Sequence, residues 1–228
     1  ELMINLDGIV GVSCHGDNDG SIEVTISGGT EDYSYSWTSS NGFTSNDEDI
    51  FDLFVGDYEL TVTDNNSCLD LETFPVLEPE EDLVAIYTSV THASCYGADD
   101  GSISTNVSGG TPPYSYEWSK QGEPSFSETT FFIENLESGI YTVEVTDANL
   151  CKTIPQTTTV EIIEPPLLDF TYESTNISCF GADNGSILIT ASGGTPDYLY
   201  SKDGGASYQS SNAFFSLSPG SYHIIVKD

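Results

Sequence analysis

The stretch LESGIYTVEVTD, residues 136–147, decides the fold. From Gly139 onward, Tyr141, Val143 and Val145 alternate with Thr142, Glu144 and Thr146. A period of two places one set on a buried face and the other towards water, which predicts a half-buried β-strand. The same phrase recurs as LFVGDYELTVTD at residues 53–64 and LSPGSYHIIVKD at residues 217–228. All three obey L-x-x-G-x-Y-x-φ-x-V-x-D, with φ aliphatic and an Asp to close.

Other landmarks keep the same beat. Cys14, Cys95 and Cys179 head CHGDNDGSI, CYGADDGSI and CFGADNGSI, and S-G-G-T recurs at residues 27–30, 108–111 and 192–195. A period of about 80 residues exceeds the roughly 20–45 of a solenoid unit and suits a small domain with its own core. Acidic junctions bearing Pro79, Pro165 and Pro166 predict units at 1–79, 80–165 and 166–228, the third lacking its last strand. Proline stiffens such a linker, so the expected arrangement is an elongated rod.

Within a unit, the aromatic runs Tyr33/Tyr35/Trp37 and Tyr114/Tyr116/Trp118 alternate like the closing phrase, as do residues 102–107. The D-G and G-G brackets between runs are turn chemistry, because Gly and Asn/Asp tolerate positive φ. No segment carries a 3.6-residue apolar stripe. Six or seven short strands in about 80 residues predict an all-β fold of tandem immunoglobulin-like antiparallel β-sandwich domains. The Tyr of G-x-Y is expected to bond back to the turn before it, as a corner tyrosine does. The aromatic rows have two readings, a core with Trp inside or a platform for sugar rings; the core is the commoner use of alternating aromatics.

Four Lys and Arg against 37 Asp and Glu give a formal charge of −33. That excludes nucleic acid and anionic membrane as direct partners, since both call for basic patches. Five cysteines point to an oxidising, extracytoplasmic setting. One disulfide per unit is the expected pairing, Cys14–Cys68 and Cys95–Cys151, with Cys179 unpaired. The competing reading, metal-binding thiols, would need histidine partners that do not recur. With Glu1 neither an initiator Met nor a signal peptide opens the chain, and a segment of a longer array is expected.

Catalysis would require an acid, base or nucleophile in a defined constellation. His15, His92 and His223 stand at non-equivalent places, and Lys120, Lys152, Lys202 and Lys227 share no common position for an isopeptide bond. No enzyme is expected. Calcium is the candidate ligand. Asp17, Asn18, Asp19, Asp99, Asp100, Asp183 and Asn184 precede one turn, and Asp64, Asn65, Asp147 and Asp228 close the repeat. If the expected disulfides hold, they gather both groups at one pole, where hard oxygens suit Ca²⁺; the first unit is its best candidate. The alternative is that these residues only make turns.

Taken together, C-x-G-x-x-[DN]-G-S-I, S-G-G-T-P-P-Y-S-Y-x-W, L-x-x-G-x-Y-x-V-x-V-T-D and a following Cys resemble the SprB repeat over all three units. The resemblance implies a module of very large surface adhesins of gliding Bacteroidota. Such a parent is exported across the outer membrane, moved along the cell surface by a motor, and grips an extracellular substratum or polysaccharide. The chain departs from that pattern at Ser67 and Leu150, where Gly commonly precedes the second Cys, and at Lys202, which replaces the Trp. The alternative function is a carbohydrate-binding or spacer module within a secreted hydrolase, and copy number in the parent would separate the two.

Overall fold

The computed structural model describes residues 1–153 and 158–228. The first unit runs β1 (Met3–Val10), β2 (Gly20–Ser27), β3 (Ser34–Ser39), β4 (Thr44–Ser45), β5 (Ile50–Leu53), β6 (Gly56–Thr63) and β7 (Leu69–Val76). The second runs β8 (Val84–Thr91), β9 (Gly101–Ser108), β10 (Ser115–Lys120), β11 (Phe132–Leu136), β12 (Gly139–Thr146) and β13 (Thr158–Ile162). The third runs β14 (Asp169–Thr175), β15 (Gly185–Ser192), β16 (Leu199–Ser201), β17 (Ala213–Leu217) and β18 (Ile225–Lys227). No helix occurs among the described residues, and so none is long and apolar enough to cross a membrane.

Each unit is a pair of antiparallel sheets: β1-β2-β5 against β4-β3-β6-β7, then β11-β9-β8 against β10-β12-β13, then β14-β15-β17 against β16-β18. The alternation read from the sequence sets the inner faces. Tyr58, Leu60 and Val62 of β6 are buried, as are Tyr141, Val143 and Val145 of β12. Trp37 lies opposite Leu60 and Trp118 opposite Val143, so each Trp fills the middle of its sandwich. Three separate apolar cores result, centred on Trp37, Trp118 and Tyr200. The chain exposes 13524 Å². A single globule of 24.6 kDa would expose about 10,100 Å², and three separate globules of a third that mass about 13,600 Å² in all. The units therefore bury little against one another.

S-G-G-T is where each unit receives the incoming chain. A Cβ on Gly28 would stand 1.9 Å from the Glu1 carbonyl oxygen, on Gly109 2.0 Å from that of Asp82, and on Gly193 2.0 Å from that of Leu167. The second glycine abuts the closing Asp: a Cβ on Gly110 would lie 2.8 Å from an Asp147 carboxylate oxygen. Both glycines also sit at positive φ, where side chains are strained. No other residue fits there.

The third unit differs at one edge. Strand β18 pairs with β16 alone, whereas β6 and β12 each carry a further strand, β7 or β13. In its place lies an open groove of about 600 Å³ lined by Phe170, Ile187, Leu217, Tyr222 and Ile224. Tyr172 is 63% exposed beside it, while Tyr87, in the same register of the second unit, donates its hydroxyl to the Thr158 carbonyl of β13.

Candidate functional site: the junction between units

The closing Asp is an internal anchor. Asp64 accepts from the backbone N–H of Thr30 (3.0 Å), Asn66 (2.9 Å) and Cys68 (2.8 Å). Asp147 repeats this with Thr111 (2.7 Å), Asn149 (2.9 Å) and Cys151 (2.9 Å), and Asp228 accepts from Thr195 (2.6 Å). A carboxylate held by several N–H donors stays ionised more easily. The Cys68 N–H foremost, with those of Thr30 and Asn66, holds the Asp64 carboxyl below its usual value. This anchor joins the S-G-G-T turn to the turn that carries the second cysteine.

The corner tyrosines are in place. Tyr58, Tyr141 and Tyr222 donate to the carbonyls of Phe54 (3.0 Å), Glu137 (2.8 Å) and Ser218 (2.8 Å), each four residues back. A second set was not foreseen: Tyr33, Tyr114 and Tyr198 donate to the first glycine of S-G-G-T, Gly28 (2.6 Å), Gly109 (2.8 Å) and Gly193 (2.6 Å). Their constant five-residue offset was the available signal. Tyr141→Phe is expected to cost about 1–1.5 kcal/mol, the net worth of one buried hydrogen bond, and Tyr222→Phe less because Tyr222 is less enclosed. Denaturant unfolding of each variant measures both; equal losses at the two sites would contradict the burial argument.

Both Trp rings are 1% exposed. Their indole N–H groups donate to Asp47 (3.1 Å) and Thr130 (2.9 Å) carbonyls. They are core, and no Trp platform faces solvent. In the third unit Lys202 takes this place and lays its ammonium over the Phe214 ring, 5.7 Å from the centroid.

The cysteine pairing departs from expectation. Cys14 lies in the loop between β1 and β2, at the end where Gly20 pairs with Leu53. Cys68 lies between β6 and β7, where Thr63 pairs with Leu69, at the opposite end of the sandwich. Strands of eight residues separate those ends by about 25 Å, and a disulfide needs Cα atoms within about 7 Å. Cys14–Cys68 and Cys95–Cys151 therefore do not form. Instead Cys14 of the first unit bonds Cys151 of the second, with Cα atoms 5.6 Å apart and 137 residues between them in sequence. Cys68, Cys95 and Cys179 are free and exposed.

The gathering expected for calcium falls with those disulfides. Asp17 and Asp19 share the Cys14 end, Asp64 the Cys68 end; Asp99 and Asp100 are separated from Asp147 in the same way, and Asp183 from Asp228. Asp19 is held by the Ser13 N–H (2.9 Å) and hydroxyl (2.5 Å), and Asp100 by the Ser94 N–H (2.9 Å). The serine hydroxyl, ahead of its N–H, lowers the pKa of each. Asp17, Asp99 and Asp183 are exposed. Among the described residues no three acidic, His or Cys side chains converge as a metal cluster would.

What converges at the Cys14 end is the linker. Val12 donates to Leu77 (2.7 Å), Gly16 to the Glu78 carboxylate (2.7 Å), and the His15 ring nitrogen lies 3.1 Å from Asp82. The second unit repeats the clamp: Ala93 donates to Ile163 (3.1 Å) and Gly97 to the Glu164 carboxylate (2.6 Å). Across the first junction, Asn149 donates to the Ser13 carbonyl at 3.0 Å, beside the disulfide. The repeated E-P of the linker was visible in the sequence; that its carboxylate would seize the glycine of C-x-G was not.

Paired antiparallel sheets, corner tyrosines and clamped linkers define a tandem array of immunoglobulin-like β-sandwich units. Residues 9–42, 88–122 and 171–207 match the SprB repeat family model, each match spanning a C-x-G loop and an S-G-G-T turn. The three matches recur once per unit, consistent with SprB repeat modules. No curated protein matches it. Among solved structures, the three N-terminal domains of the bacteriophage RB49 outer capsid protein Hoc are similar, at 17% identity and a TM-score of 0.45, over 92% of this chain and 77% of that one. The fibronectin(III)-like modules of Clostridium thermocellum CbhA align at 16% identity and TM-score 0.32 over 71% and 94% of the two chains. Extracellular domains 3–5 of Drosophila OTK align at 14% and 0.30 over 99% and 93%. These likenesses concern the fold alone.

Proposed function

We propose that the chain is a load-bearing segment of a bacterial cell-surface adhesin, a non-catalytic stalk whose parent grips an extracellular substratum or polysaccharide during gliding. The observation that carries this reading is the first junction, where the backbone and a disulfide join the same two units. A doubled covalent connection suits a chain pulled from its ends, because load can cross the junction without opening either unit. The linker clamps at Glu78 and Glu164 support a semi-rigid rod, since a docked linker restricts how units swing. The high acidity keeps a repetitive surface soluble and discourages self-association. Many weak contacts along such an array gain strength through effective concentration.

Antiserum raised against this chain is expected to label intact cells of the source bacterium and to arrest their movement over a surface. Label only after permeabilisation overturns the surface placement. Label on moving, unaffected cells overturns the role in gliding and leaves the stalk.

A further inference from the structure

The three C-x-G loops are alike whether or not their cysteine is bonded. Asp17, Ala98 and Ala182 donate to Cys14, Cys95 and Cys179 (3.1, 3.1 and 3.0 Å). Ser13, Ser94 and Ser178 donate to Asp19, Asp100 and Asn184 (2.9, 2.9 and 3.0 Å). The two described turns that bear the second cysteine also match. Asp64 and Asp147 hold Cys68 and Cys151 by the same pair of bonds, N–H to carboxylate and, in return, the Asp N–H to the cysteine carbonyl at 2.9 Å. Ser67 and Leu150, just before those cysteines, share a positive φ of 66° and 70°. Asn66 bonds Thr30 as Asn149 bonds Thr111, so its amide is already oriented for the contact that Asn149 makes with Ser13.

We propose that Cys179 and Cys68 are the two preformed halves of an inter-repeat disulfide site whose ligand is a further SprB repeat, supplied in solution by a second copy of this chain arriving head to tail. The Cys14–Cys151 bond shows what the two halves do when they meet: loop of one repeat, turn of the next. Cys179 sits on the loop of the third repeat and Cys68 on the turn of the first, so one copy presents at its two ends what the other lacks. Cys95, on the loop of the second repeat, belongs by the same pattern to the junction with the third. A loop already in its bonded conformation forfeits little entropy on pairing.

The chemistry is thiol–disulfide exchange with a low-molecular-weight disulfide such as oxidised glutathione. The Cys179 thiolate attacks one glutathione sulfur and releases glutathione thiolate, leaving a mixed disulfide. The Cys68 thiolate of the second copy then attacks Cys179 Sγ and releases the other glutathione. Two protein thiols lose two electrons and two protons, and one glutathione disulfide becomes two thiols.

The test is to incubate the intact chain in a glutathione redox buffer, separate it without reductant and map the bonds by mass spectrometry. A ladder of covalent oligomers joined through Cys68–Cys179 is expected, exceeding Cys68–Cys68 and Cys179–Cys179 pairs by about tenfold or more if docking guides the reaction. Cys68→Ser and Cys179→Ser chains should each stay monomeric through this bond, and their mixture should stop at dimers. Symmetric pairs in equal yield overturn the proposal, and so does a chain that remains monomeric while Cys14–Cys151 forms. The inference rests on junction geometry, and either result leaves the surface placement of the parent to its own experiment.

Discussion

Pulled from its two ends in oxidising solution, the chain is expected to reach a full contour roughly 450–490 Å shorter than after reduction, from 137 hidden residues at about 3.3–3.6 Å each. Tension entering at residue 1 travels along β1 to Cys14, crosses the disulfide to Cys151, and leaves along β13 towards the third unit. Every residue between those cysteines, Trp37 and Trp118 among them, lies off the covalent load path. The backbone through Pro79 bears no load while the bond holds. Single-molecule force spectroscopy with and without reductant reads this directly, and Cys14→Ser should behave as the reduced chain does even in oxidant. The same contour length under both conditions would remove the disulfide from any mechanical role. Closing so long a loop also restricts the unfolded chain, worth about 5 kcal/mol in the chain-entropy picture, shared between two units. Hence the first two units should resist denaturant together when oxidised and separately when reduced.

That a staple existed was legible in the sequence; which cysteines it joined was not. The alternation of GIYTVEVTD became β12 with Tyr141, Val143 and Val145 inside, because a period of two admits only one placement on a half-buried sheet. The corner tyrosines and buried Trp followed from the same pattern. Periodicity, however, identifies equivalent positions and says nothing about which of them are neighbours. Cys14 precedes β2, Cys68 follows β6, and only the registers of β2 with β5 and β3 with β6 reveal that these are opposite ends. The calcium expectation depends on that pairing, since it needs a Cys14–Cys68 bond to bring Asp17 and Asp19 to Asp64. The oxygens of the closing Asp64 face backbone N–H groups, which is the environment of a bound anion.

Asp147→Ala should therefore be one of the most damaging changes of a polar residue in the second unit. Asp147 is 4% exposed, and its carboxylate accepts three N–H bonds, from Thr111 of the S-G-G-T turn and from Asn149 and Cys151 in its own turn. Alanine leaves three donors without an acceptor; those at the rim regain water, and the net loss is about 3 kcal/mol. For a unit of this size that lowers the melting temperature by roughly 12–24 °C. Asp147→Asn keeps one accepting oxygen for the turn but turns an amide N–H towards Thr111, so it should fall between. The loss should also show at the junction, because the same carboxylate holds Cys151 in position: Cys14–Cys151 should form more slowly in Asp147→Ala during oxidative refolding. In the first unit the anchor has an acid signature. The folded pKa of Asp64 is depressed below the ordinary 3.8 by the N–H groups of Cys68, Thr30 and Asn66. Its contribution is thus fully present above that ordinary value and is lost as pH falls through the lower, folded one. Melting followed from neutral pH down into that range should show an acid limb that Asp64→Ala flattens. An Asp147→Ala chain that melts and oxidises like its parent would reduce the closing Asp to a turn residue, and the threefold L-x-x-G-x-Y-x-φ-x-V-x-D would then owe its last letter to the turn alone.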